Sequence, residues 1–124
     1  MGVSIEPKPK QITDFIKGDV DGPIVMINLL KFKPDGGRES YQKYGELAAP
    51  HIVKAGAKIV YHGSGKATII GDDGWDSVLL VEYASKQDFF DMVTDPEYVK
   101  LSKHRTDALL DSRLYCTQRD VVPG

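Results

Sequence analysis

Three polar side chains are of types that act on small organic molecules, and the first is Asn28. It lies in the nearly continuous apolar run Ile24–Phe32. A buried amide without a hydrogen-bond partner costs about 1–3 kcal/mol. Either Asn28 bonds a neighbouring loop or a second copy of the chain, or it forms the floor of a pocket, where its N–H stabilises an enolate or oxyanion.

His62 and Arg105 are the other two candidates for catalysis. His62 precedes Gly63-Ser64-Gly65, a sequence typical of a strand bulge or bend that re-aims a side chain. Histidine is the usual acid or base near neutral pH, although a lone strand histidine is more often a surface or packing residue. Arg105 either pairs with Asp111 to join the second helix to the last strand, or uses its planar guanidinium group to bind the carboxylate of a ligand.

Aromatic residues supply the remaining candidates. Trp75 follows a glycine-rich turn and either covers a pocket or fills the hairpin. Tyr41, Tyr44 and Tyr98 lie on apolar helix faces, so they are mostly core residues whose hydroxyls need partners. We assign a ligand-binding role to Trp75, Tyr44, Tyr98 and Asp111.

No metal or cofactor motif accompanies these residues. His51, His62 and His104 lack metal-ligand spacing, and Cys116 is the one cysteine, so a zinc site is not expected. No glycine-rich phosphate loop precedes a helix. We therefore expect no cofactor, while a haem site, which needs a histidine facing a cavity, stays open.

Charge and composition indicate which classes of binding partner and which compartment to expect. The formal net charge is −2 and the 16 basic residues form no long run, so neither nucleic acid nor a membrane surface is an expected partner. The chain has no signal-peptide pattern and no apolar segment of about 18 residues. With a single cysteine it cannot form an internal disulfide, which suits a reducing compartment. We expect a soluble, cytoplasmic protein.

Hydrophobic periodicity and turn residues define the elements that position these side chains. Pro50 favours a kink or break in the second helix near Leu47, and Gly71-Asp72-Asp73-Gly74 is typical of a hairpin turn. The pattern predicts strands over 24–32, 57–70 (interrupted at Gly63-Ser64-Gly65), 77–83 and 113–119. It predicts helices over 11–17 and 38–55, the second ended by Gly56 as its C-cap, and two more that begin at the N-caps Ser85 and Asp95.

The order strand, helix, strand, strand, helix, strand predicts an α+β, ferredoxin-like β-α-β-β-α-β sandwich. We expect one domain over residues 1–124, with an arm and short helix over 1–20 and the ferredoxin-like core over 21–119. Strands 24–32 and 77–83 are apolar on both faces, which is too much apolar surface for a monomer to expose. A homodimer that packs sheet against sheet is therefore predicted.

Several sequence anchors resemble the DUF1330 family of uncharacterised proteins, over roughly residues 20–118. They are Gly22-Pro23, Asn28-Leu29-Leu30-Lys31-Phe32, Tyr41, Tyr44, Gly74-Trp75-Asp76, Asp95-Pro96-Glu97-Tyr98, Arg105, Ala108-Leu109 and Asp111-Ser112. Ala57 stands where a second glycine is expected. The resemblance implies membership of the dimeric α+β barrel superfamily, which includes cofactor-free monooxygenases, haem proteins and muconolactone isomerases. It implies no activity.

Three functions stay open on this basis. The first is a cofactor-independent enzyme, monooxygenase- or isomerase-like, acting on a small carbonyl-bearing compound through Asn28, His62 and Arg105. The second is a carrier or sensor that binds a small ligand in the same pocket without chemistry. The third is a structural dimer with a filled interior.

Overall fold

The computed structural model describes residues 4–120 of the 124-residue chain. Four strands form one antiparallel sheet in the order β2-β3-β1-β4. The strands are β1 (Ile24–Phe32), β2 (Lys58–Ser64), β3 (Ser77–Tyr83) and β4 (Leu109–Thr117). The helices are α1 (Pro9–Lys17), α2 (Gly37–Lys54), α3 (Lys86–Thr94) and α4 (Pro96–Ala108).

This arrangement is the α+β, ferredoxin-like fold that the sequence predicts, with α3 and α4 together in the place of the second crossover helix. The helices pack on one face of the sheet. Alternate residues of the two central strands meet them there, and the shared core is Ile24, Met26, Tyr44, Ala48, Val81, Tyr83, Phe89, Met92 and Tyr98. The other face of the sheet is left without a helix in the described chain.

Local capping signals set the helix ends as predicted. Ser85 Oγ accepts a hydrogen bond from the Asp88 backbone N–H at 3.1 Å, which begins α3. Asp95 Oδ1 accepts from the Glu97 N–H at 2.8 Å, so α4 begins at once after α3. Gly56 has φ +71°, a left-handed conformation that ends α2 and that glycine adopts at little cost.

The expected break in α2 is wrong. The helix runs without interruption through Pro50. Proline removes one backbone donor, but buried Tyr44 and Ala48 before it and half-buried Ile52 after it all pack against the same core. Tertiary packing on both sides of Pro50 therefore outweighs the missing hydrogen bond.

The second strand is shorter than predicted. It ends at Ser64, and residues 65–76 form the connection to β3, so the expected strand to residue 70 and the hairpin turn at 71–74 are wrong. The Gly65 N–H bonds Asp76 O at 2.9 Å, and a Cβ at Gly65 would lie 1.7 Å from Trp75 O. The glycine thus marks a close approach of two chain segments. The irregularity of pairing in β2 lies between Ile59 and Tyr61, and not at Gly63-Ser64-Gly65, where a bulge or bend is expected.

The last strand begins earlier than predicted, at Leu109 rather than residue 113. Phe32 pairs with Leu109 across the sheet, and the Leu109 side chain is fully buried. The apolar residues after Ala108 continue the sheet because their partner strand β1 extends that far.

Candidate functional site

The strand register places the two sequence-predicted polar residues in one row on the helix-covered face. His62 pairs with Leu79, and Leu79 pairs with Asn28. Because neighbouring strands lie about 4.8 Å apart, the Cα atoms of His62 and Asn28 are about 10 Å apart. The Leu79 side chain lies between them on the same face, so a ligand that contacts both Asn28 and His62 would lie over Leu79, between the sheet and the helices.

Two further rows border this polar row. Toward the N-terminal end of β1 lies an apolar row formed by Ile59, Val81, Met26 and Cys116. Toward its C-terminal end lies a row rich in serine, formed by Ser64, Ser77, Leu30 and Ser112. Asn28 and His62 thus lie at the boundary between an apolar and a polar part of the face.

The helices do not cover this face completely. On the edge strand β2, Ile59 is 54% exposed and His62 is also exposed. On the opposite edge, Leu114 is 45% exposed. A cleft between sheet and helices results, and Asn28 and His62 line it together with side chains of α2 and α4. Apolar walls with few polar groups are typical of small-molecule sites.

Three tyrosines form the wall of the cleft opposite the sheet. Tyr41 and Tyr44 belong to α2 and Tyr98 to α4, and the hydroxyls of Tyr44 and Tyr98 are hydrogen-bonded to each other. The ring centroids are 5.3 Å apart for Tyr41 and Tyr44 and 6.4 Å apart for Tyr44 and Tyr98. Burial raises the pKa of Tyr41 to about 12, opposed by the neighbouring Arg105 charge. Burial and the adjacent Tyr98 also raise the pKa of Tyr44.

Arg105 completes this polar wall. It follows Tyr98 by two helical turns and so projects from the same side of α4. Its Nη1 donates to the Ile5 carbonyl oxygen at 2.8 Å. The expected pair with Asp111 is wrong, because Asp111 Oδ1 accepts from Arg113 Nη1 and from the Ser4 N–H, each at 2.8 Å.

Asn28 has a neighbouring strand as its structural partner. Its Nδ2 donates to Leu79 O at 3.2 Å, which agrees with the interpretation of a satisfied amide. A side-chain amide carries two donor hydrogens and a carbonyl acceptor. Within residues 4–120 one Nδ2 hydrogen and Oδ1 therefore stay available toward the cleft that Asn28 lines.

Two sequence-predicted site residues lie elsewhere. Trp75 packs on the opposite face of the sheet, with Lys31 Nζ 5.0 Å and Arg113 Cζ 5.2 Å from its ring. Trp75 is not among the side chains of the cleft, so in one chain it does not cover the pocket. Asp111 lies at the start of β4, where it holds the chain segment at Ser4.

The family assignment follows from a profile for a domain of unknown function, DUF1330, which matches residues 36–115. The chain belongs to the DUF1330 family. No curated protein matches it in sequence. A protein of unknown function from Rhodopseudomonas palustris has a structure similar to this DUF1330 chain, with 34% identity and a TM-score of 0.89 over 98% of this chain and 100% of that one.

More distant structures share the fold. A dimeric protein of unknown function with a ferredoxin-like fold from Bacteroides fragilis is 17% identical, with a TM-score of 0.55 over 79% of this chain and 97% of that one. A Caulobacter crescentus protein provisionally described as an antibiotic biosynthesis monooxygenase is also 17% identical, with a TM-score of 0.55 over 82% and 92% of the two chains. At this identity the likeness shows the fold alone.

Within residues 4–120 no group of three histidine, cysteine or acidic side chains is arranged to hold a metal ion. In the same part of the chain, no helix has the length and apolar character needed to cross a membrane.

Sequence reasoning missed two features of this site. Tyr41 packs against the core as predicted, but its position beside Arg105 is not predicted. The Ile5 carbonyl, which binds Arg105, lies 100 residues away in sequence. The spacing of Tyr41 and Tyr44 was a usable signal for the first, because side chains three apart share a helix face. Nothing local predicts the second.

The raised pKa of Tyr41 predicts a loss of stability in alkaline solution. An unfolded tyrosine ionises near pH 10, whereas Tyr41 in the folded chain keeps its proton to about pH 12. Its contribution is complete below pH 10 and is lost as the pH rises from 10 to about 12, because only the unfolded state releases the proton there. Urea unfolding across this range should show a shallower pH dependence for Tyr41→Phe than for the native chain. Equal slopes for the native chain and Tyr41→Phe would contradict the burial of the Tyr41 hydroxyl.

Proposed function

We propose that this DUF1330 protein binds a small carbonyl-bearing organic molecule in the cleft and acts on it without a cofactor. The observation that carries the proposal is the placement of Asn28 and His62 in one row of the sheet, facing the hydroxyls of the tyrosine wall across the cleft. Proton abstraction next to a carbonyl requires a base and hydrogen-bond donors for the carbonyl oxygen. His62 at the edge of the cleft is the base, and Asn28 and the tyrosine hydroxyls are the donors.

The proposed chemistry begins with the ligand carbonyl oxygen near the free Nδ2 hydrogen of Asn28. His62 takes a proton from the adjacent carbon, and the electrons of that C–H bond form an enolate whose oxygen bears the negative charge. Asn28 stabilises this oxygen by hydrogen bonding. Return of the proton to a different carbon completes an isomerisation where a carbon–carbon double bond is conjugated with the carbonyl, because the enolate then carries charge on that carbon too. A monooxygenase would instead require attack of the enolate on molecular oxygen.

A specific observation supports a second candidate function, a carrier or sensor. His62 is exposed at the cleft edge, whereas catalytic bases are commonly oriented by a further group. In this case the ligand occupies the same cleft and leaves it unchanged. The tyrosine wall and Asn28 then provide recognition only.

Exchange of hydrogen for deuterium next to a carbonyl distinguishes the two functions. With 2-oxo-4-phenylbutanoate in deuterated buffer, the native protein should accelerate exchange at the carbon beside the ketone, measured by proton NMR. His62→Ala should reduce that acceleration by about 10²–10⁴-fold, and Asn28→Ala should also reduce it. His104→Ala, on α4 outside the cleft, is the matched control and should retain it.

If the ligand binds but hydrogen exchange is not accelerated, the carrier or sensor function is favoured over the enzyme function. Undiminished exchange in both His62→Ala and Asn28→Ala would refute the proposed roles of these residues.

We also propose that two copies pack through the uncovered face of the sheet. The strand register aligns a row of apolar side chains across all four strands there, consisting of Tyr61, Leu80, Ile27 and Tyr115. Tyr61 is 55% and Tyr115 70% exposed in the single chain. A contiguous apolar patch of this kind marks an interaction surface, and the Bacteroides fragilis relative is described as dimeric.

Sedimentation velocity at micromolar concentration tests this interface. The native chain should sediment as a dimer, and Leu80→Lys should sediment as a folded monomer because it places a charge in the centre of the apolar row. Val99→Lys, at an exposed position of α4, introduces the same charge on the helical side and should remain dimeric. A monomeric native chain, or a dimeric Leu80→Lys, would place the interface elsewhere.

A further inference from the structure

Arg105 differs from Arg113 and Arg119 in its charge environment, and from Arg38, which is exposed and lies over the Phe32 ring, in its burial. Arg113 and Arg119 form ion pairs with Asp111 and Glu82, at 2.8 and 2.9 Å.

Arg105 is half-buried and forms no ion pair with a carboxylate of residues 4–120. A charge removed from water is unfavourable unless an opposite charge compensates it. Glu6, whose Oε1 accepts from the adjacent Thr106 Oγ1 at 3.2 Å, lines the same cleft but forms no ion pair with Arg105. The cleft therefore holds a cation without an ion-pair partner in the described chain.

The guanidinium of Arg105 is held in a defined orientation. One of its donors is bound to Ile5 O at 2.8 Å. The neighbouring Ser4 is itself held at β4, because Ser4 O accepts from the Ser112 N–H at 2.6 Å and from Ser112 Oγ at 2.7 Å. A guanidinium has five N–H donors in a rigid plane. One donor bonds Ile5 O and a second acts on the Tyr41 hydroxyl, so about three are left for a ligand, and their direction is fixed before any ligand enters.

A neutral hydroxyl lies beside this fork. Arg105 is close enough to Tyr41 to act on its ionisation by charge and by side-chain hydrogen bonding, yet burial keeps Tyr41 protonated at neutral pH. The Tyr41 hydroxyl is thus a donor and does not neutralise the arginine. A planar cationic fork beside a hydroxyl donor matches the two oxygens of a carboxylate.

We propose that the ligand of the cleft is a small oxo acid whose carboxylate binds Arg105 and Tyr41 and whose carbonyl group lies toward Asn28. This inference rests on the proposed function, since it names the ligand class of the same cleft. Tyr41 contacts Phe32 at the end of β1, with the ring centroids 5.4 Å apart, while Asn28 lies nearer the middle of that strand. The anionic end of the ligand is therefore at the serine-rich end of the cleft.

Matched pairs of acids and neutral analogues test the ligand class. The probes are 2-oxobutanoate, benzoylformate and 2-oxo-4-phenylbutanoate, each with its primary amide, titrated into the full chain by calorimetry. The acids should bind at least about tenfold more tightly than their amides, since a hydrogen bond to a charged group is worth a tenfold change or more. Arg105→Gln should abolish this difference, and Arg105→Lys should retain part of it.

Lys100→Gln provides the control, because it removes one positive charge from the exposed side of the same helix. It should bind acids and amides as the native chain does. Tyr41→Phe should weaken binding of the acids more than of the amides. Thermal unfolding of each variant shows whether it is folded.

The outcomes test two claims separately: that the cleft binds a ligand, and that this ligand is a carboxylate. Amides that bind as well as acids, or acids that bind Arg105→Gln as they bind the native chain, would overturn the carboxylate inference while leaving ligand binding in the cleft intact. If neither acids nor amides bind the native chain, both this inference and the proposed function fail.

Discussion

The alternation of side chains along β1 is the constraint on which both proposed functional surfaces depend. This strand lies between β3 and β4, so its position sets the register of its neighbours. Residues 24, 26 and 28 face the helices, and residues 25, 27 and 29 face the uncovered side. A shift of one residue would exchange the two sets, bringing Asn28 to the proposed dimer interface and Ile27 into the cleft.

The helix layer gives the cleft its polar wall. Helices α2 and α4 run antiparallel, since Lys54 at the end of α2 lies 3.5 Å from Asp95 at the start of α4, and a Cβ at Gly37 at the start of α2 would lie 2.6 Å from Ala108 O at the end of α4. The paired tyrosine hydroxyls satisfy each other in an otherwise apolar contact, which avoids the cost of an unpaired buried polar group. Arg105 extends this polar wall toward the N-terminal segment, where the backbone at Ile5 holds it.

The sequence predicts those parts of the structure whose causes are local. The apolar run of β1, the caps at Ser85 and Asp95 and the glycine after α2 each act within a few residues, and all are confirmed. The continuous helix through Pro50 could not be predicted, because packing against residues far along the chain stabilises it.

The same limit applies to the site. Asn28 and His62 could be selected as polar residues of strands, but their shared row depends on the register of three strands. The partners of Arg105 and Asp111 are predicted wrongly, because a pair that joins the second helix to the last strand is only one of the contacts open to each side chain. The actual partners include backbone groups at Ser4 and Ile5, more than 90 residues away, and no pattern near either residue indicates them.

A crystal structure of the protein with 2-oxo-4-phenylbutanoate tests most directly the claim that β1 separates a ligand face from a dimer face. We expect the ligand between sheet and helices, in contact with Asn28, and a second copy of the chain against Ile27. Ligand bound on the Ile27 side, or a cleft closed by its own side chains with a partner on the helical side, would contradict this claim.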